Sequence, residues 1–179
     1  HHCSSTRVHF FRCFVCTMIW FTRIFFALVA LAIIQIAYYY SQVPDTLASH
    51  FDGLGAPNAW SSKAGFFGLY AVILLMLVWI FVFVPGWSEK RIGFGMKIPH
   101  REHWLAPERI EATRQFFRRQ MLLMGIVHLA LAIVVMQLAI LANFEQQPRL
   151  HGSIYWALGL YFVFLMAWLI HFFLHFRKP

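Results

Sequence analysis

Four long apolar runs, separated by polar segments, constrain this chain more than any other feature of its sequence. Each run has about 20 residues, the length an α-helix needs to cross roughly 30 Å of hydrocarbon. In lipid every backbone N–H and C=O must be paired inside a helix or a closed barrel, and the runs lack the alternation of strands. The sequence therefore predicts an all-α integral membrane protein with four transmembrane helices, spanning residues 20–40, 66–84, 121–142 and 154–173.

The charge content agrees with this class. Only 12% of the residues are charged, against about 25% in a typical soluble domain. The four runs predict a single four-helix membrane domain over residues 18–179. The chain begins with two histidines, and Met18 directly precedes the first run. We therefore interpret residues 1–17 as a non-native or disordered N-terminal segment.

The distribution of lysine and arginine predicts the orientation. Thirteen of the fifteen basic residues lie before or at the start of the first run, in the middle connection (residues 85–120), or in the C-terminal tail. Because cytoplasmic segments carry the excess of basic residues, both termini and the middle connection are expected in the cytoplasm. Anionic lipid headgroups then account for the net charge of +8, and nucleic acid is not expected as a partner.

The third predicted helix is expected to continue beyond the membrane. Pro107 suits the first turn of a helix, and Glu108 and Glu111 favour its positive end. One helix over residues 107–142 would be about 54 Å long. This interpretation extends the third helix into the cytoplasm.

The loop over residues 41–63, SQVPDTLASHFDGLGAPNAWSSK, is predicted to face outward. Its Asp52-Gly53-Leu54-Gly55 and Pro57-Asn58 segments are typical of turns. Trp60 is expected to lie at the membrane interface, with Lys63 reaching for headgroups. Asp45, His50 and Asp52 offer cation ligands, but they are too few to predict a closed metal site.

Polar side chains inside the spans are rare. Gln35 and Gln137 lie at equal depth and are expected to hydrogen-bond across helices, as packing contacts. His128 is expected to be a neutral histidine bonded to a neighbouring helix. The alternative is a metal or haem site built from His128, His171 and His175, of which the last two share one helix face.

Sequence signatures of catalysis are absent. The chain has no Gly-x-Ser-x-Gly, no His-Glu-x-x-His and no phosphate-binding glycine loop. We therefore expect neither enzymatic activity nor a cofactor.

Two polar blocks resemble a bacterial membrane domain of unknown function that forms the N-terminal part of SdpI-type immunity proteins. The second block is KIPHREHWLAPERIEAT, where His100 stands in place of an expected asparagine. The resemblance covers roughly residues 20–113. The matching positions are Pro44, His50, Phe51, Gly55, Pro57, Asn58, Trp60, Ser62 and Lys63 in the outward loop, and Trp104, Leu105, Ala106, Pro107, Glu108 and Arg109 in the cytoplasmic block.

The resemblance implies a role in sensing or immunity. SdpI-type proteins protect a bacterium from a secreted killing peptide and relay its presence to a repressor. Those proteins have additional C-terminal membrane helices beyond the four expected here, so immunity does not transfer directly. We expect a non-enzymatic protein of the plasma membrane that contacts a peptide or membrane-protein partner through residues 41–63, with self-association left open. The alternative is a small transport or haem- or metal-binding protein using His128 and His171.

Overall fold

The computed structural model describes residues 4–84 and 99–177. Four of its helices are long and apolar enough to cross a membrane, which confirms the predicted fold class. The basic residues Lys90, Arg91 and Lys97 of the middle connection lie outside the described residues. The elements are α1 (Ser4–Tyr40), β1 (Thr46–Phe51), β2 (Pro57–Ser62), α2 (Lys63–Val78, continued by a π-helical turn, Trp79–Phe83), α3 (Arg101–Trp104), α4 (Ile110–Ala142) and α5 (Ser153–Arg177).

Helix α4 is the centre of the bundle and contacts α1, α2 and α5. A Cβ on its Gly125 would lie 2.7 Å from the Phe25 ring of α1 and 2.8 Å from the Cβ of Phe81 in the π-helical turn. The three helices therefore approach closely at a position where a side chain has no room. Phe25, Phe81 and the adjacent Leu129 and Tyr70 are buried there.

A hydrogen-bonded network joins α1, α2 and α4 inside the apolar layer. Gln35 Nε2 donates to Gln137 Oε1 at 2.8 Å and to the Ile133 carbonyl at 3.2 Å. Tyr70 donates to Gln35 Oε1 at 2.8 Å, and Gln137 Nε2 donates to the Tyr39 hydroxyl at 2.8 Å. The predicted bond between the two glutamines is confirmed, because their equal distance from the helix ends places them side by side.

Two further hydrogen bonds attach α5 to α4. The Met124 carbonyl can only accept, so His128 Nδ1, at 2.8 Å, carries the proton. The Tyr161 hydroxyl lies 2.9 Å from Nε2, within hydrogen-bonding distance. Trp168 donates to the buried Gln120 at 2.7 Å. The geometry confirms that His128 is bonded to a neighbouring helix, through the Tyr161 hydroxyl of α5.

The structure corrects two boundaries. Pro57 and Asn58 do not form a turn, because they begin strand β2 of a small antiparallel hairpin that the sequence did not predict. Helix α4 begins at Ile110 and not at Pro107, since α3 and a turn over residues 106–109 intervene. Its 33 residues give a length of about 50 Å, still longer than the hydrocarbon.

The backbone of residues 4–17 is described as the first part of α1. Whether the segment 1–17 belongs to the native protein stays a prediction.

Candidate functional site

The outward loop folds into a hairpin, β1–β2, seated on the ends of α1, α2 and α4. We call this the hairpin end and the opposite end of the bundle, with Ile110 and Arg177, the arginine-rich end. Val43 and Leu47 are buried against Phe66 and Phe67 of α2 and Ile140 of α4. An apolar underside therefore fixes the hairpin to the bundle.

An ion pair closes the base of the hairpin. Lys63 Nζ lies 2.7 Å from Asp45 Oδ1, and the Lys63 N–H donates to the Asp45 carbonyl at 2.9 Å. This lysine lowers the pKa of the Asp45 carboxyl below its ordinary value. Ser62 caps the following helix, since its Oγ accepts from the Gly65 N–H at 3.1 Å. Lys63 thus pairs with a carboxylate, and its contact with lipid headgroups stays a prediction.

Asn143 holds the outer edge of β1. Its Oδ1 accepts from the Ala48 N–H at 2.7 Å and its Nδ2 donates to the Ala48 carbonyl at 3.0 Å. A single side chain thereby supplies the two bonds that a third strand would make at this residue. Asn143 directly follows the predicted third span, residues 121–142, and nothing in a single sequence reports its bond to a strand 95 residues away.

The tip of the hairpin contacts the connection before α5. Gly55 has a φ of 80°, and a Cβ there would lie 2.6 Å from the Leu150 carbonyl oxygen. Its own carbonyl accepts from the Leu150 N–H at 2.9 Å, and Tyr155 donates to the Gly53 carbonyl at 2.5 Å. Gly55 is therefore required both by the backbone conformation and by the close approach. The predicted turn at residues 52–55 is confirmed.

Asp52 stabilises the turn from inside. Its carboxylate accepts from the Ala56 N–H at 2.9 Å and the Leu54 N–H at 2.8 Å. These bonds lower the pKa of Asp52, with that from Ala56 contributing most. The carboxylate is thus committed to the backbone.

The outer face of the hairpin presents apolar side chains. Leu54 is 79% exposed and Trp60 is 54% exposed. His50 is also exposed, and its Nδ1 lies 2.5 Å from Asn58 Oδ1. The three possible cation ligands of the loop therefore do not converge, because His50, Asp45 and Asp52 each have a separate partner.

The geometry of the hairpin coincides with a known but uncharacterised domain. Residues 27–77 match the family model of a domain of unknown function, DUF1648. The matched stretch runs from within α1 through the hairpin into α2 and contains all nine loop positions of the first block. The second block, residues 104–109, lies outside it. No curated protein and no solved structure matches the chain.

The second block lies at the arginine-rich end, far from the DUF1648 hairpin. The Trp104 ring packs on His175 and Phe176 of α5, with centroids 5.1 and 5.3 Å apart. Its carbonyl accepts from the Thr113 hydroxyl at 2.8 Å, which ties α3 to α4. Leu105, Ala106, Pro107 and Glu108 form the turn between these helices.

Arg109 of the same block contacts the imidazole of His103. Desolvation, followed by the positive charges of Arg109 and His100, lowers the pKa of His103. The block therefore joins α3 to the start of α4, and its Trp104 packs in an aromatic cluster with His175 and Phe176.

The histidines proposed as metal ligands have other contacts. His175 stacks on Phe116 with centroids 3.8 Å apart, and His171 lies against the same ring at 6.4 Å. His128 is bonded to Tyr161. Within residues 4–84 and 99–177, no group of three or more His, Cys, Asp or Glu side chains is placed to hold a metal ion.

Proposed function

We propose that this protein is a non-enzymatic sensor or immunity-type protein of the bacterial plasma membrane. It contacts a secreted peptide or another envelope protein through the DUF1648 hairpin. One observation carries the proposal. The hairpin is fixed to the bundle, yet its Leu54 and Trp60 side chains are exposed. Exposed aromatic side chains on a fixed backbone are the usual anchors of binding surfaces.

The rigidity of the hairpin supports recognition in preference to a passive linker. Asn143 holds one strand, Leu150 and Tyr155 hold the tip, and the Asp45–Lys63 pair closes the base. A preformed surface loses little conformational entropy when a partner binds. The ionisable side chains Asp45, Asp52 and Lys63 of the loop already have partners within the hairpin, which favours a binding role over a catalytic one.

The outward orientation of the hairpin rests on the basic residues. The hairpin end carries Lys63 and Arg149, whereas the other thirteen lysines and arginines belong to the opposite side. The positive-inside rule then places both termini in the cytoplasm. Self-association through the lipid-facing helices is compatible with this arrangement.

The orientation can be tested by labelling intact cells. In a background with Cys3, Cys13 and Cys16 replaced by serine, Leu54→Cys should react with a membrane-impermeant maleimide and Glu108→Cys should not. The reverse pattern would overturn the orientation.

The recognition role can be tested by complementation. A strain lacking the gene would be grown in culture supernatants of its own and related bacteria, and rescued with wild type or with His50→Ala/Trp60→Ala. We expect the double variant to be inserted normally and to lose the rescue. Trp156→Ala is the matched control, since this tryptophan of α5 is 84% exposed but lies outside the hairpin.

Two outcomes would contradict the proposal. Full rescue by the hairpin variant would exclude the hairpin as the contact surface. Loss of rescue with His128→Ala, and not with the hairpin variant, would favour the transport or cofactor hypothesis.

A further inference from the structure

Two arginines lie close together in depth on packed helices near the arginine-rich end. The guanidinium of Arg23, on α1, lies over the Trp20 ring at 5.6 Å, and that of Arg119, on α4, lies over the Phe21 ring at 5.6 Å. Both side chains are exposed. The ion pairs among the described residues, Asp45–Lys63 and Glu111–Arg114, involve neither arginine. Two positive charges are therefore oriented by aromatic rings, and within residues 4–84 and 99–177 neither forms an ion pair with a carboxylate.

An exposed stripe of α1 leads from Arg23 toward the hairpin end. Ala27, Leu31, Ile34 and Tyr38 follow it at spacings of four, four, three and four residues, which keeps them on one helix face. All of these residues are exposed. Ala27 and Leu31, the two stripe residues nearest Arg23, have small and medium-sized side chains, so this part of the surface projects little from the helix.

A parallel stripe on α4 leads from Arg119 in the same direction. Ile126, Ala130, Ile133 and Gln137 follow at spacings of seven, four, three and four residues. Toward the hairpin end the two stripes become the walls of an open groove of about 390 Å³, lined among others by Leu31, Ile34, Ile133 and Val134. One continuous surface thus carries positive charge at one end and an apolar groove at the other.

The dimensions of this surface match half a bilayer. The rise along α1 from Arg23 to Ile34 is about 16 Å, and half the hydrocarbon thickness is about 15 Å. A lipid whose headgroup lies beside Arg23 therefore has acyl chains long enough to enter the groove. Guanidinium groups bind phosphate oxygens in a forked geometry, and their charge favours lipids with a net negative charge.

We propose that the groove between α1 and α4 is a binding site for one anionic phospholipid. Arg23 and Arg119 bind the phosphate, and one acyl chain lies along Ala27 into the apolar groove at Leu31 and Ile34. The site does not depend on the role of the hairpin or on which end faces the cytoplasm, because it needs only a bilayer around the bundle.

Lipid titration of the purified, delipidated full-length protein in detergent tests the site. Native mass spectrometry would count bound phosphatidylglycerol and phosphatidylcholine with the same acyl chains. We expect one tightly bound phosphatidylglycerol, and binding weaker by roughly thirtyfold in Arg23→Gln/Arg119→Gln. Arg149→Gln, which removes an arginine at the hairpin end, is the matched control and should bind as wild type does.

A second variant separates the groove from the charges. Ile34→Trp fills the groove and leaves both arginines in place, so it should also weaken phosphatidylglycerol binding. Equal binding of phosphatidylcholine by wild type, or unchanged binding by the double arginine variant, would overturn the proposal. Displacement of the lipid by glycerol phosphate at similar concentration would overturn it too, since the site would then recognise free phosphate without the acyl chain.

Discussion

The two ends of the bundle are stabilised by different kinds of contact. At the hairpin end, backbone groups are bound one by one, by Asn143 at Ala48 and by Leu150 at Gly55. At the arginine-rich end, rings pack on rings, with Phe116 against His175 and Trp104 against Phe176. Hydrogen bonds to backbone atoms depend steeply on distance and angle, whereas ring contacts tolerate displacement.

This difference indicates where the molecule can change shape at low energetic cost. A hairpin bonded through its backbone has one arrangement, which suits a surface that must be presented in a fixed form. An aromatic cluster keeps much of its contact area when one ring slides over another. We therefore expect the hairpin end to be intolerant of small substitutions and the arginine-rich end to tolerate them.

The largest effect is expected from Gly55→Ala. The new Cβ would lie 2.6 Å from the Leu150 carbonyl oxygen, at a φ that alanine disfavours. We expect a loss of roughly 2–3 kcal/mol in the free energy of unfolding, measured by SDS titration in detergent. Gly53→Ala is the control, because a Cβ there meets nothing within 4 Å. Equal effects of the two variants would remove the evidence that the tip is tightly fitted.

A somewhat smaller loss is expected from Asn143→Ala. The change leaves the buried Ala48 N–H without its partner and should cost about 2 kcal/mol. Hydrogen exchange should show faster exchange at Ala48 with little change at the arginine-rich end. Asn58→Ala removes an exposed amide from the same hairpin and serves as the comparison. If protection at Ala48 survives, the side chain is not what secures the strand.

Phe116→Leu should have a smaller effect, although it removes the ring that stacks on His175 at 3.8 Å. The aromatic contribution beyond area burial is about 1 kcal/mol, and neighbouring rings can move into the space. The same SDS titration provides the measurement. A loss larger than that of Gly55→Ala would reverse the proposed order of the two ends.

The smallest effects on stability should come from changes in pH, and the two ends of the bundle should respond at different pH values. The pKa of His103 is lowered from its ordinary 6.5, so its neutral form is favoured in the folded protein. Its contribution to stability is present above pH 6.5 and is lost as pH falls through the lowered pKa. Asp45 and Asp52 have pKa values lowered from 3.8, so their contribution is lost only below that pH.

Fluorine NMR of 5-fluorotryptophan-labelled protein can follow both transitions. The Trp104 signal, beside His103 at 5.1 Å, should move at a higher pH than the Trp60 signal of the hairpin. His103→Gln should remove the Trp104 step and leave Trp60 unchanged. Movement of both signals at one pH would show that the ends respond as one unit.

The spans were predictable because the membrane imposes a length and a composition that are visible in a single sequence. The Gln35–Gln137 bond was predictable for a related reason, since equal depth in two neighbouring helices brings their side chains together. The hairpin was not predicted. Its strands are short, one begins with Pro57, and register shifts after Ala48 and His50 interrupt the alternation that marks a strand.

Contacts between distant segments were the least predictable. Asn143 directly follows the last residue of α4, yet its side chain accepts a hydrogen bond from the Ala48 N–H and donates one to the Ala48 carbonyl. The start of α4 was placed three residues early, because a proline that suits a first helical turn also suits the turn that precedes it. Orientation, partner and immunity remain predictions that the geometry of one chain does not test.

The bond between Asn143 and Ala48 also has a mechanical consequence. Asn143 directly follows the last residue of α4, a helix of about 50 Å that passes from one end of the bundle to the other. A ligand that pulls β1 away from the bundle must either break both hydrogen bonds or draw α4 along its axis. At Gly125 the Phe25 and Phe81 side chains fill the space that a side chain would take, so this displacement of α4 would also have to move these two rings. The hairpin is therefore connected through α4 to the arginines at the opposite end of the bundle.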